Sequence, residues 1–316
     1  MDYKEKYNEW LTNSYFDEKT KQELIKIKDD ENEIKERFFS DLEFGTAGLR
    51  GVIESGTNRM NIYTVRKATQ GLANYIIKQN GQKRGVVIAY DSRHMSYEFS
   101  ETAALCLAAN GIKTYVFESL RPTPELSFSV RELNAISGIN ITASHNPSNY
   151  NGYKAYWEDG AQITPPHETG IIEEIKNIKD YSDAKTMEKV EAINKGLYIS
   201  IGKELDDKYI EYLKSNITNL DVILEYANKL KIVYTPLNGA GNIIARRLLD
   251  EIGFKNVHVV KEQEEPDGDF PTAPYPNPEV EATFDYALKL AKKVDADLVL
   301  ATDPDADRLR SVCKRF

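Results

Sequence analysis

The sequence predicts an α/β fold in two successive domains, with mixed sheets flanked by helices. Stretches with apolar residues at helical spacing alternate with short apolar runs, a pattern typical of helices that alternate with buried strands. This alternation occurs twice, on either side of a charged, weakly patterned segment from about residue 177 to 207. The length of 316 residues also fits two domains of roughly 150 residues each. We therefore expect a first domain over residues 1–205 and a second over residues 206–316.

The first domain begins with a charged, helix-prone segment and continues with alternating elements. Helices are predicted over 18–28 and 31–39, and three glycines between residues 43 and 51 predict a loop. Asn61 is a good N-cap for a helix that follows, because apolar residues recur there at helical spacing. The remaining elements are a strand over 85–90, a helix over 97–110 that Gly111 ends, a strand over 113–118, a helix over 125–133 and a strand over 135–141.

The second domain repeats the alternation, with one long interruption. A proline-rich segment over 265–278 predicts a loop, because prolines and glycine break both helices and strands. The elements on either side of it are a helix over 207–213, a strand over 231–234, a helix over 240–252, a strand over 257–260, a helix over 279–294 and a strand over 297–301.

Composition and charge exclude several classes of protein. Lys and Arg number 41 against 50 Asp and Glu, a net charge of −9, and the chain has no basic block, so we expect no nucleic-acid or membrane partner. No apolar segment has the length of a membrane span or the position of a signal peptide, which predicts a cytoplasmic protein. Two cysteines are too few for a disulfide framework or a zinc site, so a metal would need oxygen ligands.

The segment around Ser144 is the strongest candidate for chemistry. It reads Ile141-Thr142-Ala143-Ser144-His145-Asn146-Pro147, and Asn151-Gly152-Tyr153-Lys154 follows. Pro147 keeps its predecessor out of the helical region, so the chain turns directly after a strand. Open α/β sheets bind ligands at this end of their strands. A serine needs a base or a cation to become a nucleophile, and a plain Ser/Asn/Pro turn explains the same residues.

Three aspartates alternate in Asp303-Pro304-Asp305-Ala306-Asp307-Arg308, directly after a predicted strand. On an extended or turning loop their carboxylates can face one point, where three like charges need a cation. Oxygen ligands select a hard ion such as Mg²⁺. An EF-hand is excluded, because Arg308 and Lys314 occupy the positions of its glycine and glutamate. The acyl-phosphate phosphatase motif is disfavoured by Asp307, and a solvated acidic turn remains the alternative.

Two loop arginines are candidates for binding an anion. Arg50 lies between glycines in Gly48-Leu49-Arg50-Gly51, which lets backbone and guanidinium approach a phosphate closely. Arg93 lies in Asp91-Ser92-Arg93, after another predicted strand. Taken singly, each arginine is equally well explained as a partner in a surface salt bridge.

Together these motifs resemble those of the α-D-phosphohexomutases, in the same order along the chain. The form of the first motif is most similar to the phosphoglucomutase and phosphopentomutase branch. The residues that carry the resemblance are Phe44-Gly45-Thr46-Ala47-Gly48-Leu49-Arg50-Gly51, Thr142-Ala143-Ser144-His145-Asn146-Pro147, Asn151-Gly152-Tyr153-Lys154, Thr235-Pro236-Leu237-Asn238-Gly239-Ala240-Gly241, the segment from Asp267 to Glu279, and Asp303-Pro304-Asp305-Ala306-Asp307-Arg308.

The resemblance implies an exchange of phosphoryl groups with a sugar monophosphate. Ser144 would be carried as phosphoserine, and Lys154 would be the general acid/base, which requires a lowered lysine pKa. Glucose 1-phosphate and glucose 6-phosphate would interconvert through a bisphosphate, with glucose 1,6-bisphosphate as activator. The other implied roles are Mg²⁺ binding by Ser144, Asp303, Asp305 and Asp307, binding of the phosphoserine region by Arg50 and Arg308 with His145 in support, and substrate binding by Arg50, Arg93 and Lys154.

The resemblance also implies what this sequence does not contain. Members of the family have four domains, with a sugar-recognition loop in the third and a phosphate-binding loop in the fourth, and neither motif occurs here. We therefore expect the first two domains of a mutase, cut just past the metal loop, with little mutase activity of their own. A phosphopentomutase specificity and a non-catalytic remnant that binds Mg²⁺ or a phosphosugar stay open as alternatives, as does the oligomeric state.

Overall fold

The computed structural model describes residues 2–45 and 48–313. Its N-terminal part is a group of three short helices, α1 (Tyr3–Thr12), α2 (Glu18–Lys26) and α3 (Glu31–Phe38). Each helix follows an aspartate whose side chain accepts a hydrogen bond from a backbone N–H of the first turn. An aromatic cluster that includes Trp10 packs these helices against the rest of the first domain.

The first sheet has six strands in the order β1-β5-β4-β2-β3-β6. Strands β2, β3, β4 and β6 are parallel, whereas β5 runs antiparallel to both of its neighbours, β4 and β1. The sheet is therefore mixed. The strands are β1 (Leu49–Val52), β2 (Val86–Tyr90), β3 (Thr114–Phe117), β4 (Ser137–Ile141), β5 (Tyr150–Trp157) and β6 (Tyr198–Ile201).

Helices cover both faces of this sheet. Successive residues of β2 alternate between two buried clusters, Val86 and Ile88 in one and Val87 and Ala89 in the other, as the two-residue repeat of a strand requires. Helices α4, α5, α7 and α8 pack into the first cluster, and α6 and α9 pack into the second. These helices are α4 (Ile62–Lys78), α5 (Ser96–Ala109), α6 (Thr123–Glu132), α7 (His167–Asn177), α8 (Lys189–Asn194) and α9 (Lys203–Ser215).

The second sheet has four strands in the order β10-β9-β7-β8, and only β10 is antiparallel to its neighbour. Ile244 of α11 packs into the cluster of α6 and α9, whereas the buried residues of the second sheet form a separate cluster with α12. The elements are α10 (Leu220–Tyr226), β7 (Lys231–Thr235), α11 (Gly241–Glu251), β8 (Asn256–Val259), α12 (Asp285–Val294), β9 (Leu298–Thr302) and β10 (Leu309–Cys313).

The predicted fold class is confirmed, but α7, α10, β5 and β10 have no counterpart in the sequence prediction, and three predicted segments differ locally. Strand β1 begins inside the segment that was predicted to be loop throughout. The charged segment before residue 207 contains α8 and β6; because β6 is an edge strand with half-exposed residues, it has no continuous apolar run. The helix predicted from residue 279 begins at Asp285, after a short 3₁₀ turn over Glu281–Phe284. The division after residue 205 stays a prediction. Helix α9 begins before it, at Lys203, and packs against helices of both predicted domains.

Within residues 2–45 and 48–313, no helix has the length and apolar content that a bilayer crossing needs.

Candidate functional site

The loop between β4 and β5, residues 142–149, holds Ser144 in an unusual backbone conformation. We call it the serine loop. Ser144 has a φ of 54°, in the left-handed region that residues other than glycine seldom adopt. Its backbone N–H donates to Thr142 Oγ1 at 2.8 Å, and Thr142 Oγ1 in turn donates to the buried carboxylate of Asp91 at 2.6 Å. This relay from the end of β2 offsets the backbone strain and fixes where the hydroxyl of Ser144 lies.

The side chain of Arg93 binds the backbone of the serine loop. This side chain is fully buried and lies 3.4 Å from the Asp91 carboxylate. Four carbonyl oxygens of the loop and the first residue of β5 accept hydrogen bonds from its guanidinium at 2.6–3.2 Å, those of Ser144, Asn146, Pro147 and Tyr150. The expected substrate-binding role of Arg93 is therefore corrected, because burial and these acceptors leave its guanidinium no path to a ligand. It is a structural clamp on the loop.

The loop between β9 and β10, residues 303–308, brings three carboxylates to the hydroxyl of Ser144. We call it the aspartate loop. Ser144 Oγ donates to Asp303 Oδ2 at 2.8 Å. One oxygen each from Asp303, Asp305 and Asp307 lies within 4.8 Å of the others. Gly239, which follows β7, packs directly against the aspartate loop. A Cβ at this position would lie 2.4 Å from Pro304 Cα, so the close approach requires glycine.

These carboxylates have the chemistry of a site for a hard cation. Burial, together with the neighbouring charges of Asp305 and Asp307, raises the pKa of Asp303 to about 9. Burial also opposes the charge of Asp305, but Lys154 outweighs it and lowers the pKa of that carboxyl. The buried Oδ1 of Asp305 accepts no hydrogen bond from any donor in the described ranges. Crowded carboxylates with a free buried oxygen fit Mg²⁺, which prefers carboxylate ligands.

Lys154 is brought to the same point by β5. Its Nζ lies 2.8 Å from Asp305 Oδ2 and 3.4 Å from Asp307 Oδ2, and the residue is 6% exposed. Burial disfavours the ammonium, but the two carboxylates outweigh it and raise the pKa of Lys154 above its usual value. The lowered pKa that the resemblance implies beside Mg²⁺ and arginines stays a prediction, because the neighbours of Lys154 in this arrangement are two carboxylates.

Arg50, His145 and Arg308 surround the hydroxyl without donating to it from a guanidinium. Arg50 Nη1 donates to the side chain of Asn146 at 3.1 Å, and His145 Nδ1 lies 3.1 Å from Ser144 Oγ. Burial and the charges of Arg308 and Arg50 lower the pKa of His145. The phosphoserine contact expected of Arg308 stays a prediction: its backbone N–H donates to Asp303 Oδ1 at 3.0 Å, and its guanidinium lies 3.3 Å from Glu279.

Two groups at the site were not identified in the sequence analysis. Thr123, at the start of α6, donates to Asp305 from the other domain, and Asn140 of β4 donates to Thr123. Neither lies in a motif with Ser144 or the aspartates. Their only sequence signal is position, because both polar residues lie at or just beyond the carboxyl end of a predicted strand, where neighbouring chain segments meet.

Comparisons with known proteins match both parts of this chain to one family. Residues 41–182 match the family model described as phosphoglucomutase/phosphomannomutase, alpha/beta/alpha domain I, and residues 207–315 match the model of alpha/beta/alpha domain II. A solved structure of a putative phosphomannomutase from Thermus thermophilus superposes with a TM-score of 0.73 at 26% identity, over 87% of this chain and 57% of that one.

Curated relatives carry three related names. A phosphoglucomutase of Staphylococcus saprophyticus is 38% identical over 96% of this chain and 52% of its own length. A phosphoribomutase of Saccharomyces cerevisiae is 37% identical over 91% of this chain and 48% of its own, and a phosphopentomutase of Pongo abelii is 37% identical over 88% and 47%. This chain thus spans about half the length of the curated relatives it matches. It belongs to the phosphoglucomutase/phosphomannomutase family, with that family's domains I and II.

Proposed function

We propose that this chain supplies the phosphoserine and the cation site of a sugar-phosphate mutase. One observation carries the proposal: Ser144 Oγ, the aspartate loop and Lys154 Nζ converge across two sheets, with contacts of 2.8 Å from Asp303 to the serine and from Asp305 to the lysine. A surface turn or an incidental acidic cluster would not bury these groups together. Phosphoryl transfer depends mainly on such positioning and on charge stabilisation.

Ser144 is the group that accepts and returns the phosphoryl. When a sugar bisphosphate delivers it, the bond from phosphorus to the sugar oxygen breaks and a bond to Ser144 Oγ forms. A carboxylate that ligates a cation is ionised, and in that state Asp303, which accepts the hydrogen bond of the serine hydroxyl, is the nearest acceptor for its proton. Lys154 is an ammonium held by two carboxylates, so it carries a proton that it can donate to the departing sugar oxygen.

Groups of both charges lie around Ser144, namely carboxylates that can hold a cation and an arginine that can bind a phosphate. Asp303, Asp305 and Asp307 would hold Mg²⁺, together with an oxygen of the phosphorylated Ser144, and the ion would neutralise negative charge on the transferring group. Arg50 donates to the side chain of Asn146, two residues beyond Ser144, and its guanidinium is the proposed partner of a phosphate oxygen. His145 supports the hydroxyl from 3.1 Å.

Phosphorylation of Ser144 tests the proposal directly. Incubation of the protein with Mg²⁺ and glucose 1,6-bisphosphate, followed by peptide mass analysis, should find one phosphoryl group on Ser144. Ser144→Ala should abolish it. Ser148→Ala is the matched control, because Ser148 is a half-buried serine of the same loop and should leave labelling unchanged. Phosphate on another serine, with Ser144 unmodified, would refute the assignment.

Glucose phosphates are the proposed substrates, and pentose phosphates are the second candidate because relatives named phosphoribomutase and phosphopentomutase are as similar as the phosphoglucomutase. Parallel labelling of Ser144 with glucose 1,6-bisphosphate and ribose 1,5-bisphosphate separates the two. Faster labelling by the hexose compound supports the first, and faster labelling by the pentose compound supports the second.

A further inference from the structure

Thr123 joins the first domain to the aspartate loop by two hydrogen bonds. Its backbone N–H donates to the carbonyl oxygen of Asp305 at 2.8 Å, and its hydroxyl donates to Asp305 Oδ2 at 3.0 Å. The two residues are 182 positions apart in sequence, and the side-chain contact is buried. Thr123 is the first residue of α6, so the backbone N–H that it uses is one that the helix itself leaves without a partner.

Asn140 decides which way the hydroxyl of Thr123 points. Asn140 Nδ2 donates to Thr123 Oγ1 at 2.6 Å, and Asn140 is fully buried. A hydroxyl has a single hydrogen, and with Asn140 donating to the oxygen of Thr123, that hydrogen is directed to Asp305 Oδ2. Asn140 pairs with Lys154 across β4 and β5. Lys154, which contacts Asp305 directly, and Asn140, which acts on it only through Thr123, therefore occupy paired positions on neighbouring strands.

These contacts divide the two oxygens of Asp305 between different tasks. Oδ2 accepts from Thr123 and from Lys154. Oδ1 is buried, and no donor in residues 2–45 and 48–313 reaches it. Donors at Oδ2 fix the orientation of the carboxylate, so Oδ1 stays available, and one oxygen each of Asp303, Asp305 and Asp307 lies within 4.8 Å of the others.

We propose that Thr123 and Asn140 are positioning residues of the cation site, which hold Asp305 so that Oδ1 is its ligand atom. This inference rests on the proposed function, because that function places a divalent cation at the aspartate loop. Outer partners that orient a ligating carboxylate commonly contribute a factor of about 10–100 in metal affinity. The structure places this outer partner on the first domain, so the domain that carries Ser144 also tunes the affinity of the aspartates on the second.

Cation binding, measured without turnover, tests the proposal. Mn²⁺ is the probe: its free concentration is followed by electron paramagnetic resonance, and Mg²⁺ competes in a second titration. Thr123→Val keeps the shape and removes the hydroxyl, and should weaken Mn²⁺ and Mg²⁺ binding by about 10–100-fold. Thr123→Ser keeps the donor and should bind within about threefold of the unmodified protein. Asn140→Ala, which frees the hydroxyl to turn away, should weaken binding in the same direction as Thr123→Val.

The matched control is Thr114→Val, on the strand that leads to Thr123. Thr114 is also fully buried, but its hydroxyl donates to a carbonyl that its own backbone N–H already serves, and its loss should leave cation affinity unchanged. Thermal unfolding of each variant establishes that it is folded, and if Thr123→Val unfolds, Thr123→Ala takes its place. Three results overturn the inference: near-normal affinity in the hydroxyl-free variant, equal losses in the serine variant, or no cation binding by the unmodified protein. Ser144 labelling is scored separately, so the proposed function can fail while the affinity order holds.

Discussion

The serine loop and the aspartate loop meet at one hydroxyl, yet they are held in opposite ways. The carbonyls and N–H groups of the serine loop are satisfied by its own domain, through Arg93 and through the relay from Thr142 to Asp91. The aspartate loop instead gathers three acids, and its partners Thr123 and Lys154 come from the other domain. The serine loop is therefore held by groups of its own domain. The aspartate loop is held by groups from across the domain interface, and its carboxylates fit a cation. Perturbing the first should therefore cost folding free energy, and perturbing the second should change charge and affinity.

The largest effect is expected from the clamp of the serine loop. Arg93→Leu removes donors to four carbonyl oxygens and leaves the buried Asp91 without its counter-charge. Breaking one side of a buried pair costs about 3–5 kcal/mol, so the free energy of unfolding in urea should fall by that amount. Arg84→Leu is the control, since its side chain is 41% exposed, and should cost far less. Equal losses in the two variants would show that the clamp adds nothing.

A buried acid outside both loops gives the next effect and a reference for the aspartates. Glu125 of α6 is fully buried; burial and the neighbouring Asp206 carboxylate raise its pKa to about 9, although Arg121 and Arg247 oppose this. The folded protein therefore keeps the proton that the unfolded chain releases above its ordinary pKa. This contribution to stability is complete at low pH and is lost as the pH rises toward 9, by ~3 kcal/mol between about pH 5 and 7.5.

Glu125→Gln replaces the acid with a neutral group of the same shape. It should remove this part of the pH dependence, so that the variant is more stable than the unmodified protein at neutral pH. Urea unfolding at several pH values measures the change, in buffer with and without Mg²⁺. Because Glu125 is not part of the aspartate loop, Mg²⁺ should not alter the difference between the two proteins. A pH profile that is the same in the variant would contradict the assigned proton.

Mg²⁺ itself gives the third effect, on the aspartate loop alone. A cation that binds only the folded protein stabilises it by about 2.7 kcal/mol at a hundredfold excess over its Kd. Asp303→Asn, Asp305→Asn and Asp307→Asn should each weaken Mg²⁺ binding and reduce this gain, because each removes one charge from the ligand set. Asp250→Asn, at an exposed position of α11, is the control. Unchanged Mg²⁺ affinity in all three variants, measured by calorimetry, would rule out the site.

The sequence was informative where function lies in contiguous residues at strand ends. Ser144 and the alternating aspartates follow apolar strands, and both loops lie at the carboxyl ends of these strands, as predicted. The role of Arg93 could not be predicted, because its acceptors are backbone carbonyls, which every residue has. The contact from Thr123 to Asp305 could not be predicted either, since it joins two domains whose relative placement no local pattern encodes. Strand β6 was missed because half-exposed edge residues give no apolar run.

The smallest effect is expected at Arg308, and it separates the two parts of that residue. Its backbone N–H holds Asp303 Oδ1, whereas its guanidinium lies 3.3 Å from Glu279 with the two side chains 37% and 71% exposed. Such surface pairs contribute about 0–1 kcal/mol. A double-mutant cycle of Arg308→Gln and Glu279→Gln should therefore give a coupling free energy below about 1 kcal/mol, because the backbone hydrogen bond survives both changes. A larger coupling would mean that the guanidinium, and not the backbone, holds the aspartate loop, and the contrast between the two loops would then be weaker than the hydrogen bonds indicate.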